Sequence, residues 1–557
     1  MDKEKIISKT VSVCPVCLKQ IPAYKVEEDD GIYLEKTCPE HGDFRVLIWH
    51  DTKESYYKWD RVKKPPVSHF CHTHVDKGCP YDCGLCEAHL QQPCCVLLEV
   101  TQRCNLHCPV CFASAGDASM DPSMEEIGSW YDELMRAGGP FNIQLSGGEP
   151  SMRDDLADII RLGKSKGFSY FQLNTNGIRI AEDFDYLKNL VDAGLKNVFL
   201  QFDGLTNHPY EVLRGAPLLE TKLKAIENCS KVKVGLTLVP TVAPGVNDDQ
   251  IGDILNFALD KLPVVRCVHF QPVSYFGRCG LEHGDQRITI PDMLNYMEEQ
   301  TQGKMKRKDF VGGGAENSYC SFHANFMLMP DGEVRALKSD KDSPESTTIK
   351  KSREFVAKHW SAAPKVASGL FSSQEGFGGI QTGFPSMPKP KKVESCTCGM
   401  PSHTETKVES CTCGMPSHTA EKGKEGFVKG FGDFNGIQSG FPSMPKPKKV
   451  ESCTCGMPSH TEEKTETCSC QSKAKEKEEV KCSCDTPQEE SLFDVFLDRV
   501  ENYTLAVSGM LFQDAWNFDL DRVRRCKLCE FSPNKKIVPF CAYNLSSISG
   551  ETLHRGK

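Results

Sequence analysis

Between residues 96 and 280 the chain alternates short β-rich runs with segments of helical periodicity. The segments between the β-rich runs carry helix-end signals, such as Ser123 and Glu126 in a capping box and Gly167 and Gly194 just past helix ends. The six runs cover residues 96–101, 141–145, 169–174, 197–202, 233–239 and 265–271. This alternation predicts an α/β fold, a parallel sheet curled into a partial (β/α)6 TIM-like barrel, with function at the carboxyl ends of its strands.

Three cysteines in C-x3-C-x2-C spacing follow the first predicted strand: Cys104, Cys108 and Cys111. Iron-sulfur clusters are normally held by four thiolates, so a loop that offers three leaves one iron open to another ligand. An open metal position is where chemistry takes place. A structural zinc site is the alternative for the same three residues.

Polar residues follow the next strands. After the second strand come Gly147, Gly148 and Glu149, where two glycines let the backbone approach a ligand and a carboxylate can accept from an ammonium group. The later strand ends carry Asn174, Asn176, Gln201 and Asp203, which we predict to contact a cofactor or substrate. Capping of a strand or loop explains each of these four equally well.

The three-cysteine loop, followed one βα unit later by Gly-Gly-Glu, resembles the radical S-adenosylmethionine (radical SAM) enzymes. The resemblance implies a catalytic 4Fe-4S cluster on Cys104, Cys108 and Cys111 that cleaves S-adenosylmethionine to methionine and a 5'-deoxyadenosyl radical. It also implies that Gly147, Gly148 and Glu149 hold the cosubstrate. In one departure, Val110 replaces the aromatic residue usual before the third cysteine, and Phe112 follows it.

The spacing of cysteine and histidine in residues 1–60 predicts a small metal knuckle of the rubredoxin or zinc-ribbon kind. Cys14, Cys17, Cys38 and His41 come from two short turns, with a hairpin between them. Four ligands in this arrangement suit one Zn or one Fe ion. Whether His41 or a cysteine from elsewhere is the fourth ligand stays open.

Two further cysteine groups predict auxiliary 4Fe-4S clusters. Residues 61–95 repeat the C-x3-C-x2-C spacing at Cys79, Cys83 and Cys86, and we take Cys95 as the fourth ligand, although other cysteines nearby keep that choice open. The second group comprises Cys320, Cys526, Cys529 and Cys541. Zinc is the alternative for the second group.

Residues 339–490 are rich in Lys, Glu, Ser, Thr, Gly and Pro, and we predict that they are disordered. The octet Cys-Thr-Cys-Gly-Met-Pro-Ser-His begins at Cys396, Cys411 and Cys453. Closely spaced thiolates suit Cu(I), Zn or Fe, but repeat expansion without function explains them equally. The predicted domains are residues 1–60, 61–95, 96–300, 301–338, 339–490 and 491–557.

The charge balance argues against nucleic-acid binding, since 67 Lys and Arg against 76 Asp and Glu give a net charge of -9. The start of the chain lacks the apolar core of a signal peptide, and no apolar run is long enough to span a bilayer. We therefore predict a cytoplasmic protein, with surface contact to a membrane left open. A reducing partner of the ferredoxin or flavodoxin type is implied by the family resemblance.

The knuckle, the second cysteine triplet and the closing Pro-Phe-Cys-Ala-Tyr-Asn segment at residues 539–544 resemble one radical SAM subgroup, the archaeal tetraether lipid synthases and radical pterin methylases. The main hypothesis is therefore carbon-carbon bond formation between lipid chains. The first alternative is methyl transfer to a pterin-like heterocycle. The second is a noncatalytic iron-sulfur or metal carrier.

Overall fold

In the computed structural model, two segments, Met1–Ser386 and Glu490–Lys557, form one compact unit. The structure describes residues 3–60, 71, 73–116, 120–281, 287–313, 317–337, 353–354, 357, 361 and 492–556. The second unit, Met387–Glu489, and most of the predicted disordered insert therefore lie outside the described residues.

The N-terminal segment folds as a four-stranded antiparallel sheet in chain order, followed by helix α1. The elements are β1 (Ile6–Val13), β2 (Gln20–Glu28), β3 (Gly31–Cys38), β4 (Gly42–Trp49) and α1 (Lys53–Trp59). The predicted hairpin is confirmed, because β2 pairs with β3 from Ala23 opposite Lys36 to Glu28 opposite Gly31.

The six predicted strands are present and pair in parallel, in the order of the chain. They are β5 (Cys95–Thr101), β7 (Asn142–Gly147), β8 (Phe171–Thr175), β9 (Asn197–Gln201), β10 (Gly235–Val239) and β12 (Val265–Pro272). Short strands lie between them: β6 (Val110–Cys111) and β11 (Thr241–Val242). The predicted partial barrel is confirmed.

Amphipathic helices cover the outer face of the sheet. They are α2 (Met124–Arg136), α3 (Leu156–Ser165), α4 (Ile178–Glu182), α5 (Phe184–Ala193), α6 (His208–Arg214), α7 (Leu219–Val232), α8 (Ile251–Asp260) and α9 (Ile290–Gln300). Ser123 caps α2 as predicted, since its side chain accepts from the backbone N–H of Glu126 at 3.1 Å. Gly167 and Gly194 adopt positive φ just past the ends of α3 and α5, also as predicted.

The C-terminal region extends both edges of this sheet, which the six-unit prediction did not include. The remaining elements are β13 (Arg278–Cys279), β14 (Val311–Gly312), β15 (Ser321–Leu328), β16 (Val334–Leu337), α10 (Leu492–Asn502), β17 (Thr504–Met510), α11 (Leu520–Val523), β18 (Leu528–Phe531), β19 (Ile537–Pro539) and α12 (Phe540–Tyr543). β17 pairs in parallel with β12, and β18 pairs in parallel with β5. The barrel strands therefore lie between two strands from the same C-terminal region.

Side chains alternate between the two faces of the parallel strands. The outward residues, including Leu98, Ile143, Leu173, Leu200 and Leu238, join the main hydrophobic core with the helices. The inward residues line the interior of the barrel. Within the described residues, the longest apolar helix falls short of what a bilayer crossing requires.

Candidate active site and cysteine centres

The loop that carries Cys104, Cys108 and Cys111 lies at the carboxyl end of β5, the first barrel strand. Cys108 is buried and the other two thiols are half-buried. Burial raises the pKa of Cys104 to about 12, so the thiolate needs a bound cation to persist at neutral pH. The arrangement suits a metal centre.

Neighbouring elements hold this loop through its backbone. Arg214 Nη1 donates to the carbonyl oxygen of Val110 at 3.1 Å, and Arg278 Nε donates to that of Cys108 at 2.7 Å. Asn176 Nδ2 donates to Asn105 Oδ1 at 2.7 Å. Arginine and amide donors from three separate elements therefore fix the loop, and none of these bonds uses a thiol.

The Gly-Gly-Glu turn packs directly against the start of the loop. Gly148 N–H donates to Thr101 O at 2.9 Å, and Glu149 N–H donates to Arg103 O at 2.8 Å. Gly147 has φ +125°, and a Cβ on Gly148 would lie 2.2 Å from Arg103 O. Glycine at both positions is thus required by the close approach of two backbones.

The carboxylate of Glu149 links this turn to the end of β8. It is 1% exposed and accepts from the Thr175 hydroxyl and the Asn176 N–H, each at 2.7 Å. The Ser151 hydroxyl and N–H donate to it at 2.6 and 3.0 Å. Glu149 therefore fixes Asn176, which in turn holds the cysteine loop.

Gln201 and Asp203, predicted to bind the cofactor, both face Arg214. Asp203 is fully buried, and its two oxygens accept from Arg214 at 2.8 Å each and from Thr241 N–H at 3.0 Å. The amide oxygen of Gln201, in the orientation that suits its neighbours, accepts from Arg214 Nε at 3.0 Å. These contacts give Asp203 a positioning role beneath the loop.

Lys222 is a buried residue of the site that the sequence analysis missed. It is fully buried in α7, and its ammonium donates to the backbone oxygen of Asn176. Burial lowers the pKa of Lys222 to about 8, although Asp203 acts in the opposite direction. The spacing in the sequence indicated that Lys222 is buried, because it lies three residues after Leu219 and three before Ala225, on the apolar stripe of the helix.

Asn174 lies apart from Glu149 and Asn176, on the interior wall of the barrel. Its Oδ1 accepts from Gln172 Nε2 at 2.9 Å, and its Nδ2 donates to Gln144 Oε1 at 3.4 Å. The structure therefore groups Asn174 with wall amides rather than with the Gly-Gly-Glu turn.

In the knuckle, Cys14, Cys17, Cys38 and His41 bring one potential ligand atom each within 4.8 Å of one another. Burial opposes ionisation of Cys38, but the N–H of Glu40 and the ring of His41 outweigh it and lower the pKa of Cys38 to about 6. The group thus holds a thiolate at neutral pH, as a metal ligand requires.

The first auxiliary group brings Cys79, Cys83 and Cys86 together, but not Cys95. A hydrogen bond with Cys83 raises the pKa of Cys79, which also bonds to Cys86. Cys95 Sγ instead lies 3.9 Å from Cys94 Sγ, beside Gln144 at the amino end of β5. The contacts of Cys95 thus direct it away from the triplet that it was predicted to complete.

The second auxiliary group joins Cys320, which precedes the insert in the chain, with three cysteines that follow it. Burial raises the pKa of Cys526 well above the ordinary thiol value, and the neighbouring thiols of Cys529, Cys541 and Cys320 raise it further. Arg522 Nε donates to Cys320 Sγ at 3.3 Å, a contact that the sequence analysis did not predict. The predicted set of four cysteines therefore shares one buried region.

Comparison with known proteins matches two regions of the chain to protein families. Residues 98–258 match the radical SAM superfamily, and residues 6–50 match the HMPTM N-terminal zinc ribbon domain. A 7,8-dihydro-6-hydroxymethylpterin dimethyltransferase from Methanocaldococcus jannaschii is 35% identical over 98% of this chain and 94% of its own length.

The chain belongs to the radical SAM superfamily.

Two further proteins match a smaller part of the chain. A GTP 3',8-cyclase from Listeria monocytogenes is 30% identical over 33% of this chain and 55% of its own length. Streptococcus suis SuiB bound to S-adenosylmethionine is 15% identical over 38% of this chain and 48% of its own, with a TM-score of 0.32.

The residues at and around Cys104, Cys108 and Cys111 in this radical SAM enzyme fit a 4Fe-4S cluster with S-adenosylmethionine. Cys104 lies close enough to Cys108, Cys111 and Glu149 for their charges to raise its pKa beyond the effect of burial, and the charge of Lys222 acts on Cys108. The superfamily implies a 4Fe-4S cluster and S-adenosylmethionine, and the noncatalytic carrier hypothesis is set aside. The zinc ribbon match and the knuckle ligands likewise point to a metal site.

Proposed function

We propose that this radical SAM enzyme transfers methyl groups to a pterin or a similar heterocycle. The observation that carries the proposal is the polarity of the inner wall of the barrel. The Methanocaldococcus relative, which is named for pterin dimethylation, supports the same class of reaction. None of the three relatives described above is named for lipid chemistry, and the lipid-joining hypothesis has no support from them.

The polar wall runs across neighbouring strands. Register pairs Gln144 with Gln172, and Asn174 with Phe199, so these side chains point to the same interior face. At the far side, His269 Nδ1 and Ser508 Oγ lie 2.8 Å apart, again on paired strands. Amides, an imidazole and a hydroxyl therefore face the interior, where an alkyl chain would need apolar residues.

Such a wall favours a flat ring with polar edges. The amides of Gln144, Gln172 and Asn174 bond to one another, and their remaining donor and acceptor capacity can be used by the rim of a pterin but not by an alkyl chain. The rings of Phe199 and His269, with centroids 5.6 Å apart, supply an aromatic surface for contact with such a ring. Phe199, Asn174 and Ser508 are half-buried, so the interior reaches them.

In this proposal Cys104, Cys108 and Cys111 hold the catalytic cluster, and Gly147, Gly148 and Glu149 contact S-adenosylmethionine. The bound group supplies the radical chemistry, while the chain orients the reactants and excludes competing reactions. Asn176, Gln201 and Asp203 position this machinery. The other cysteine groups hold two auxiliary clusters, and the knuckle holds Zn or Fe.

The partner and location are part of the proposal. Cleavage of S-adenosylmethionine consumes one electron, which we assign to a ferredoxin or flavodoxin in the cytoplasm. Contact with a membrane has no support.

The proposal is tested by extracting pterins and lipids from the same anaerobic cells that express either the wild type or Cys108→Ala. We expect pterins heavier by one or two methyl groups only with the wild type. Joined lipid chains with unchanged pterins would overturn the proposal in favour of the lipid hypothesis. Absence of both products, with the wild type carrying its iron, would also overturn it.

The wall is tested by Asn174→Leu, which removes the amide and keeps a similar volume. We expect KM for 7,8-dihydro-6-hydroxymethylpterin to rise on the order of five- to tenfold, the effect of one neutral hydrogen bond, with the affinity for S-adenosylmethionine unchanged. Thr237→Val is the matched control, because Thr237 pairs with Phe199 on the next strand and its buried hydroxyl makes no hydrogen bond to the described residues. Equal KM values in the two variants would contradict a role for the wall.

A further inference from the structure

A small aromatic cluster fills the space between the catalytic cysteine loop and the second auxiliary group. We call it the seam cluster. Its members are Leu97, Phe112, Phe276, Phe512, Leu528 and Phe540. They come from the first barrel strand, the cysteine loop, the segment after β12 and the C-terminal region, so no single helix or strand accounts for their contact.

We propose that electrons tunnel between the second auxiliary group and the catalytic cysteine loop through the contact between the phenyl rings of Phe112 and Phe540. Phe112 directly follows Cys111, and Phe540 directly precedes Cys541. Their ring centroids lie 5.5 Å apart, with the planes tilted by 53°. One ring-to-ring contact thus joins residues that are covalent neighbours of a ligand at each of the two centres.

Phe512 strengthens the connection on the auxiliary side. Its ring lies 4.6 Å from that of Phe540, and the N–H of the next residue, Gln513, donates to Cys541 Sγ at 3.3 Å. Leu528 immediately precedes Cys529, a second predicted ligand of the same centre. Three members of the seam cluster are therefore tied to this one centre.

The seam cluster also excludes water from the auxiliary side of the route. Phe276 and Phe540 are 5% and 4% exposed, and Phe276 packs against both Phe512 and Phe540 with centroids 6.4 and 6.2 Å apart. Electron tunnelling weakens steeply with distance and with gaps in packing. Closely packed rings give a shorter through-contact route than solvent would.

The electron balance is simple. A low-potential, one-electron protein donor of the ferredoxin or flavodoxin class is oxidised as the auxiliary centre is reduced. The electron then passes to the catalytic centre, where one electron is consumed for each S-adenosylmethionine cleaved, and no proton crosses the seam cluster. This inference does not depend on a pterin being the substrate.

Phe540→Leu and Phe112→Leu test the inference, because leucine keeps the site apolar but removes the ring contact. The holoenzyme with S-adenosylmethionine is mixed anaerobically with reduced flavodoxin, and reduction of the catalytic cluster is followed by freeze-quench electron paramagnetic resonance. We expect severalfold slower reduction than in the wild type. With dithionite, which reaches each centre separately, we expect the wild-type rate, with cluster content and S-adenosylmethionine affinity unchanged.

Phe310→Leu is the matched control. Phe310 is also 4% exposed and packs in a ring cluster, with Phe322 and Phe326 at 5.9 and 5.5 Å, but it touches neither cysteine centre. Wild-type rates with flavodoxin in both test variants would overturn the inference, as would equal slowing by Phe310→Leu. If Phe540→Leu loses a cluster, Phe112→Leu, at a half-buried position, is the variant that decides. An iron content unchanged when Cys526, Cys529 and Cys541 are all replaced by alanine would also overturn the inference, since the auxiliary centre would then be absent.

Discussion

At the scale of single residues, Gly148 sets how closely the Gly-Gly-Glu turn approaches the cysteine loop. The sequence predicted that glycine here permits a close approach, but not that the approach is to the backbone of Arg103, since that contact depends on how two loops pack. A Cβ on Gly148 would lie 2.2 Å from Arg103 O, which already accepts the next N–H of the turn at 2.8 Å. We expect Gly148→Ala to displace the start of the loop, lower the iron bound at Cys104, and reduce the free energy of unfolding by about 2 to 4 kcal/mol. Iron analysis and anaerobic urea denaturation measure both effects. Gly116→Ala is the control, because a Cβ there meets nothing within 4 Å, and equal iron contents in the two variants would contradict the prediction.

At the scale of elements, the places of β17 and β18 at the two edges of the barrel sheet could not be predicted from hydrophobic periodicity. The six barrel strands were predictable because each apolar run is followed by a helix with recognisable ends. The pairing of β17 with β12 was not, since it joins positions 239 residues apart and a strand's sequence does not specify its neighbour. Because residues 339–490 are predicted to be disordered, the fold should not depend on most of them. Arg353 is an exception, since it donates to the carbonyl oxygens of Pro93 and Pro140 at 2.9 and 2.8 Å. We expect deletion of residues 362–488 to leave the iron-sulfur absorbance and melting temperature unchanged. Arg353→Ala should instead lower the free energy of unfolding by about 1 to 3 kcal/mol, as lost hydrogen bonds from a charged group do. Loss of absorbance in the deletion would refute this view of the insert.

At the scale of the whole molecule, a buried ion pair joins the knuckle to the C-terminal cysteine region. Lys25 Nζ lies 2.8 Å from Asp519, with side chains only 12% and 4% exposed. Asp519 caps the helix that carries Arg522, the donor to Cys320. Burial opposes ionisation of Asp519, but the charge of Lys25 outweighs it and lowers the pKa of Asp519 below its ordinary value. A lowered carboxyl pKa gives stability that is present above the unfolded pKa of about 3.9 and is lost as the pH falls through the folded pKa. We therefore expect Lys25→Met to reduce the free energy of unfolding at pH 7 by about 3 kcal/mol, because Asp519 is left buried and unpaired, and the difference from wild type to shrink below about pH 4. Lys5→Met, which breaks an exposed pair, should cost under about 1 kcal/mol. Denaturant titrations from pH 3 to 7 measure both variants. A loss in Lys25→Met as small as that in Lys5→Met would mean that the pair does not secure the knuckle. If the pair does secure it, Lys25→Met should also release iron from the Cys320 centre at lower denaturant, because Asp519, which caps the helix that carries Arg522, loses its charge partner.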